Sequence, residues 1–231
     1  MKILAIIPAR GGSKGIKNKN ITDFYGKPLI YWTINAALKC KLIDKVVVST
    51  DSLKIKKISE KIGAVVPFLR PKKISRDKSK TLDAIKYTVK RLEKEKNYFA
   101  DYIVTLQPTS PLREEKHLNA SIRKIISDKN ADSLVSCVKV PHIFNPNSLM
   151  KLKGNYLKDY INSEKVLRRQ EKKKIFARNG AAIYITRRSS IDAFIYGGNI
   201  IPYLMNHISS IDIDCKEDLK IALMYMKNLK Q

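Results

Sequence analysis

Cysteine, histidine and glycine are scarce in this chain of 231 residues, at three, three and nine. Cys40, Cys137 and Cys215 lie far apart with no C-x-x-C pair, and three histidines cannot supply the missing ligands, so a structural zinc site is excluded. Long apolar runs are lacking too. The hydrophobic start, residues 1–7, ends at Pro8 and is followed at once by Arg10 and Gly11. It is too short for a signal peptide core or a bilayer span, and with odd, dispersed cysteines it implies a cytoplasmic protein with reduced thiols and no membrane partner.

Acidic residues are the other deficit. Twenty-one Asp and Glu stand against 46 Lys and Arg, a formal charge of +25 that favours polyanionic ligands. Only 11 of the 46 are Arg, and the lysines are spread over nearly every segment, as at Lys54, Lys94 and Lys172. No basic groove with interleaved aromatics and no recognition module is legible. A solvated basic surface is therefore favoured over nucleic-acid binding.

A chain of this length buries about 70 % of its unfolded surface and needs neither disulfide nor metal to build a core. Strand-length apolar runs alternate with helical patterns over the first 140 residues, the signature of a mostly parallel α/β sheet. Strands are predicted at 2–8, 46–48, 64–68, 102–106, 133–140 and 181–186. Helices are predicted at 28–42, 53–62, 81–96, 114–127, 190–196 and 216–227. Regularity breaks from Pro141 to Asn179, where Pro146, Gly154 and the basic run 168–174 interrupt the pattern. Tyr156, Tyr160, Ile161, Val166 and Leu167 give that stretch too many apolar anchors for a linker. The expected organisation is a core of residues 1–140 and 180–231 with an extension at 141–179.

The exit of the first strand carries the strongest local signal. Ala9-Arg10-Gly11-Gly12-Ser13-Lys14-Gly15 and the following Lys19-Asn20 combine three glycines with three cations where ligands of open α/β sheets collect. Glycines let backbone N–H groups converge on an anion, so the loop suits a polyphosphate. Its spacing matches neither the P-loop nor the dinucleotide motif. At the other end, Asp212 and Asp214 stand two apart in an extended segment, a pair that suits Mg²⁺ beside phosphate oxygens. Asp214 equally suits the cap of the helix near Lys216, and Asp218 its first turn. Gln107 to Arg113 is a rigid, proline-bearing strand exit that suits either a polar wall or a plain connection.

These motifs resemble, in order, those of the acylneuraminate cytidylyltransferases, which make CMP-N-acetylneuraminate and related CMP-legionaminic and CMP-pseudaminic acids. The resemblance rests on Ile7-Pro8-Ala9-Arg10, Ser13-Lys14-Gly15, Lys19-Asn20, Ser49-Thr50-Asp51, Leu69-Arg70-Pro71, Leu106 to Arg113, Asn179-Gly180 before Ala182-Ile183-Tyr184, and Ser210 to Asp214. It implies a three-layer α/β fold of the nucleotide-diphospho-sugar transferase type with a dimerisation extension. It also implies CTP and a nine-carbon acidic sugar as substrates, Mg²⁺ as cofactor and a homodimer. Carried over residue by residue, it puts Arg10, Lys14, Lys19 and Asp212 in the catalytic role. Ala9, Arg10, Gly11, Ser13, Lys14, Asn20, Arg70 and Thr81 fall at the nucleotide, and Gln107, Arg169, Asn179 and Tyr184 at the sugar. Asp212 and Asp214 become the metal pair. Ala177 and Arg178 depart from the family's pattern, which shows arginine at the first position in one branch and more often proline at the second.

Overall fold

Ile3–Pro8 (β1) is buried over most of its length on both faces, with Ile3, Ala5 and Ile7 in one core cluster and Leu4 and Ile6 in another. A strand of this kind needs helices above and below it. The computed structural model, which describes residues 1–12, 15–161 and 173–230, supplies them. After β1 the strands are Asp23–Phe24 (β2), Lys27–Pro28 (β3), Lys45–Ser49 (β4), Tyr102–Thr105 (β5), Ser133–Lys139 (β6), Met150–Lys153 (β7) and Tyr156–Asp159 (β8), then Phe176–Arg178 (β9), Tyr184–Arg187 (β10) and Ile200–Leu204 (β11). The helices are Leu29–Lys39 (α1), Leu53–Ile62 (α2), Thr81–Lys96 (α3), Glu115–Ser127 (α4) and Lys216–Lys230 (α5).

The main sheet runs in the order β11-β6-β10-β5-β1-β4, with β9 also on β6. β1 is parallel to β4 and β5, and β6 to β11, whereas β10 lies antiparallel between β5 and β6. Ile30, Ile34, Ile55, Leu118 and Ile122 bring α1, α2 and α4 onto one face. Ile85, Val89 and Leu92 bring α3 onto the other, completing the expected three-layer, mostly parallel α/β fold. A smaller core joins α5, through Ala222 and Met226, to Ile16, Phe24, Leu29, Leu112 and Ile213. It fastens the carboxyl-terminal segment to the loop after β1.

Three elements differ from the sequence expectation. The predicted strand at 64–68 reduces to one parallel bridge, Val47 to Val65. The predicted helix at 190–196 is a 3₁₀ turn at Arg188–Ser190 followed by irregular chain. The Ser133 hydroxyl, 2.7 Å from the Gly197 carbonyl, and the Thr186 hydroxyl on the Ile195 carbonyl draw that segment back to the sheet before a helix can extend. β11 has no counterpart in the prediction, because Pro202 and outward-facing Ile200 and Leu204 obscure the alternation; an edge position tolerates that proline. Within 141–179, β7 and β8 form a separate hairpin and β9 returns to the sheet.

β9 and β10 pair with the same edge of β6 but out of step. Arg178 faces Cys137 and Tyr184 faces Val135, so the chain spends six positions where β6 spends two. Residues 179–183 are extruded as a loop. Ser136 holds its base: its hydroxyl accepts the Ile183 N–H at 2.9 Å and donates to Asn179 Oδ1 at 2.7 Å.

Candidate functional site

The carboxyl ends of β1, β4 and β5 open into a cavity of about 400 Å³, whose walls include Arg10, Lys19, Arg70, Arg76, Thr81 and Gln107. A cavity so placed and so basic suits a polyphosphate ligand. Arg70 is buried, with Nε donating to the Ser75 hydroxyl at 2.9 Å, and desolvation lowers its pKa against the pull of Asp51. Arg10 is paired with Asp77 across the cavity.

Two glycines of the loop after β1 have partners or close neighbours within the fold. The Gly11 N–H is already committed to Asp51 Oδ1, at 2.9 Å. Gly15 is required by packing, since a Cβ there would lie 2.6 Å from the Asp214 carbonyl oxygen. Ala9 is buried, with its N–H on the Ser49 carbonyl at 2.9 Å, so its part is to set the strand exit. Asn20 is buried as well and donates to the Arg10 carbonyl at 2.9 Å, which fixes the backbone from which Arg10 projects. Ser13, Lys14 and Arg169, with Arg168, lie outside the described residues.

Lys19 joins the two ends of the chain. Its Nζ donates to the Ile213 carbonyl at 2.7 Å and to Asp214 Oδ1 at 3.0 Å. The Ile213 N–H donates to the Thr109 carbonyl at 2.8 Å and its side chain is fully buried, so the closing segment is pinned from two sides. The two carboxylates flanking Ile213 meet unequal surroundings. Asp214 is 80 % exposed at its side chain. Asp212 turns inward, Oδ1 is buried without a hydrogen-bond partner, and desolvation raises its pKa. The backbone N–H groups of Asp214 and Cys215 both donate to Asp218 Oδ2 at 2.9 Å, so Asp218, not Asp214, caps α5.

Arg113, at the end of the Gln107 strand exit, has no role of its own assigned from the sequence. It is fully buried. Nη1 donates to the Ala182 carbonyl at 2.7 Å, while Nε and Nη2 have no partner. Desolvation pushes its pKa down to about 9, with attraction to Asp212 opposing. The extruded loop 179–183 is thus held from below by a buried cation.

A second cavity, of about 350 Å³, shares Thr81 and Gln107 with the first and is lined beyond them by Arg178, Gly180, Tyr184 and Tyr196. The Tyr184 hydroxyl donates to the Gly180 carbonyl and accepts from Arg178 Nη1 at 3.4 Å. Asn179 is buried and its amide is spent internally, accepting from Ser136 and donating to the Ser210 hydroxyl at 2.9 Å. Its observed part is to fix the loop that carries Gly180. Gln107 stands at the junction of the cavities, its N–H on the Ala181 carbonyl at 3.0 Å.

A sequence model described as cytidylyltransferase matches residues 4–231. The chain is 31 % identical over 229 residues to an N-acylneuraminate cytidylyltransferase of Escherichia coli, covering 96 % of the chain and 51 % of that protein, so it spans about half that relative's length. It is 31 % identical over 235 residues to a pseudaminic acid cytidylyltransferase of Campylobacter jejuni, covering 98 % of the chain and 97 % of the relative. Identity is 34 % over 233 residues with a CMP-N,N'-diacetyllegionaminic acid synthase of Legionella pneumophila, again covering 98 % and 97 %. Among solved structures, CMP:2-keto-3-deoxy-manno-octonic acid synthetase complexed with CTP superposes with a TM-score of 0.75 at 19 % identity, covering 99 % of both chains. The 4-diphosphocytidyl-2C-methyl-D-erythritol synthase of Anaerococcus prevotii gives 0.65 at 14 %, covering 98 % of both. At those identities the structural likeness is one of fold.

Proposed function

Because the chain belongs to the cytidylyltransferase family, we propose that it transfers CMP from CTP to the anomeric hydroxyl of a nonulosonic acid, releasing pyrophosphate. The acceptor is an N-acetylneuraminate, legionaminate or pseudaminate, the three types named by its relatives. One observation carries this reading: a basic cavity at the strand ends meets a second, tyrosine-lined cavity at Thr81 and Gln107, so a nucleotide and an acceptor can lie side by side.

In this assignment Arg10, Lys14 and Lys19 are the cations that neutralise charge on the triphosphate and the departing pyrophosphate. Arg70 and Thr81 read the nucleoside, and Gln107, at the junction, orients the acceptor. The acceptor's anomeric oxygen forms a bond to the α-phosphorus, the bond to the bridging oxygen breaks, pyrophosphate leaves with its electron pair, and the hydroxyl proton passes to water. The nucleophile belongs to the substrate, so no covalent enzyme intermediate is needed.

Asp212 and Asp214 fit Mg²⁺: one offers a buried oxygen without a partner, the other an exposed carboxylate that lines the basic cavity. Among the described residues no group of three or more His, Cys, Asp or Glu could hold a metal ion. Asp212 and Asp214 would hold Mg²⁺, which would supply neutralisation of charge on the phosphate oxygens.

The extension at 141–179 is proposed as the contact with a second copy of the chain. Among the described residues no helix is long and apolar enough to cross a membrane, and the three cysteines are free. A cytoplasmic reaction is proposed on the CTP donor and the free, dispersed cysteines. Incubating the purified protein with CTP, Mg²⁺ and a panel of nonulosonic acids tests the activity. Pyrophosphate release with a CMP-sugar of the expected mass is the predicted result, with Arg10→Ala and Lys14→Ala losing most turnover while remaining folded. Absence of product with every acid in the panel would overturn the assignment.

A further inference from the structure

The second cavity carries one charged side chain among the described residues that line it, Arg178, and no acid. Its guanidinium lies over the Tyr196 ring, 4.5 Å from the centroid, and Nη1 reaches the hydroxyls of Tyr184 and Tyr196. Tyr184 is held in turn, since its hydroxyl donates to the Gly180 carbonyl. One edge of the fork is therefore fixed by two aromatic residues. Among the described residues Nε and Nη2 have no partner, and no carboxylate there pairs with the group.

The backbone beneath is equally fixed. Arg178 is the last residue of β9, in register with Cys137, immediately before the extruded loop. A pre-oriented guanidinium whose Nε and Nη2 meet no hydrogen-bond acceptor or acid among the described residues matches a carboxylate ligand that accepts two parallel N–H bonds. From this geometry, and resting on the acceptor reading above, we propose that Arg178 binds the acceptor's carboxylate and sets the preference for an acidic sugar.

The acceptor's chemistry makes the position consequential. In a 2-keto-3-deoxy acid the carboxylate is bonded to the anomeric carbon, so its anchor also places the attacking hydroxyl. The cavity that holds Arg178 opens to the nucleotide cavity at Thr81 and Gln107, the side from which that hydroxyl must meet the α-phosphate. An arginine at 178 thus supplies from the strand end an anion contact that Ala177 beside it cannot give.

The test compares one nonulosonic acid with its methyl ester, in the wild-type protein and in Arg178→Gln, Arg178→Lys and Arg169→Gln, each with CTP and Mg²⁺. The wild type should prefer the acid. Loss of one charge-assisted contact should lower kcat/KM for the acid by about 10- to 100-fold in Arg178→Gln. The ester rate and the KM for CTP should stay within about two-fold of wild type. Arg178→Lys should recover part of the preference, because a point charge replaces the fork only incompletely. If Arg178→Gln keeps the acid preference, or if Arg169→Gln alone removes it, the assignment of Arg178 falls while the activity stands. A wild type that turns over no nonulosonic acid would take both down.

Discussion

A β-carbon on Gly180 would lie 2.5 Å from Oδ2 of Asp212, so the loop extruded after β9 rests directly on that carboxylate. The φ of +66° at Gly180 is a second demand that glycine alone meets without strain. Gly15 stands in the same relation to the other side of the closing segment, through the Asp214 carbonyl oxygen. Two glycines from distant parts of the chain therefore bracket residues 212–214. Gly180→Ala should push Asp212 out of place and cost about 1–3 kcal/mol of stability through the positive φ. Turnover should fall by about 100-fold, more than the stability loss explains, as expected when a reacting geometry shifts by about an ångström. Thermal melts and CMP-sugar synthesis measured on the same preparation check this.

Asp218 takes the helix cap that Asp214 also suited, which leaves Asp214 for the metal role proposed above. Asp218 Oδ2 accepts from the N–H groups of both Asp214 and Cys215, the arrangement of a helix amino terminus satisfied by its own third residue. Asp218→Ala should destabilise the fold by about 1 kcal/mol and leave most activity. Asp214→Asn should do the reverse, because the exposed side chain adds little to packing while its charge faces Lys19 and the cavity. Unfolding curves and Mg²⁺ titrations of turnover on the two variants distinguish the roles. An active Asp214→Asn variant would return that residue to a structural part.

What was legible in the sequence was local. The apolar run of β1, the punctuation at Pro8, the helical spacing of Ile85, Val89 and Leu92, and the dipole position of Asp218 all follow from periods and caps that a few consecutive residues determine. What was not legible depends on residues that meet across the fold. The Gly11 N–H is spent on a carboxylate 40 positions away, so a glycine-rich loop does not offer all its donors to a ligand. The step between β9 and β10 exists because Ser136, from another strand, takes over the hydrogen bonds of the extruded loop. Nothing in the sequence neighbourhood of Arg113 reveals that it will be buried with the Ala182 carbonyl as its acceptor.

His117 gives the fold a pH dependence of its own. The imidazole is buried near the start of α4, and its Nδ1 accepts the Glu114 N–H at 3.1 Å, so the neutral ring is the form that fits. Burial holds its pKa below the ordinary 6.5, outweighing the pull of Glu114. The unfolded chain then binds a proton that the folded chain resists. The contribution is complete above pH 6.5 and is lost as the pH falls through the depressed folded value. Denaturation midpoints should drop between pH 7 and 5. In His117→Gln, which keeps an acceptor at the same helical position, the slope over that window should be shallower.

The hairpin of β7 and β8 is exposed along both strands and joins no other sheet among the described residues. Leu152 and Leu157 face each other across it and are 73 % and 61 % exposed, with Tyr156 at 77 %. An isolated two-stranded ribbon is marginal in water, and apolar side chains grouped in this way seek a cover. The same segment on a second copy, related by a twofold axis, would present the matching surface proposed above. Sedimentation should therefore find the wild type at twice the chain mass, and a Leu152→Lys, Leu157→Glu double variant should shift towards the monomer. The hairpin leaves the core between β6 and β9, and β9 ends at Arg178, so loss of the partner should loosen the acceptor side first. The double variant should accordingly show a KM for the acceptor raised by about ten-fold, with the KM for CTP changed little. A wild type that sediments as a monomer, or a double variant that stays dimeric, would place the interface elsewhere.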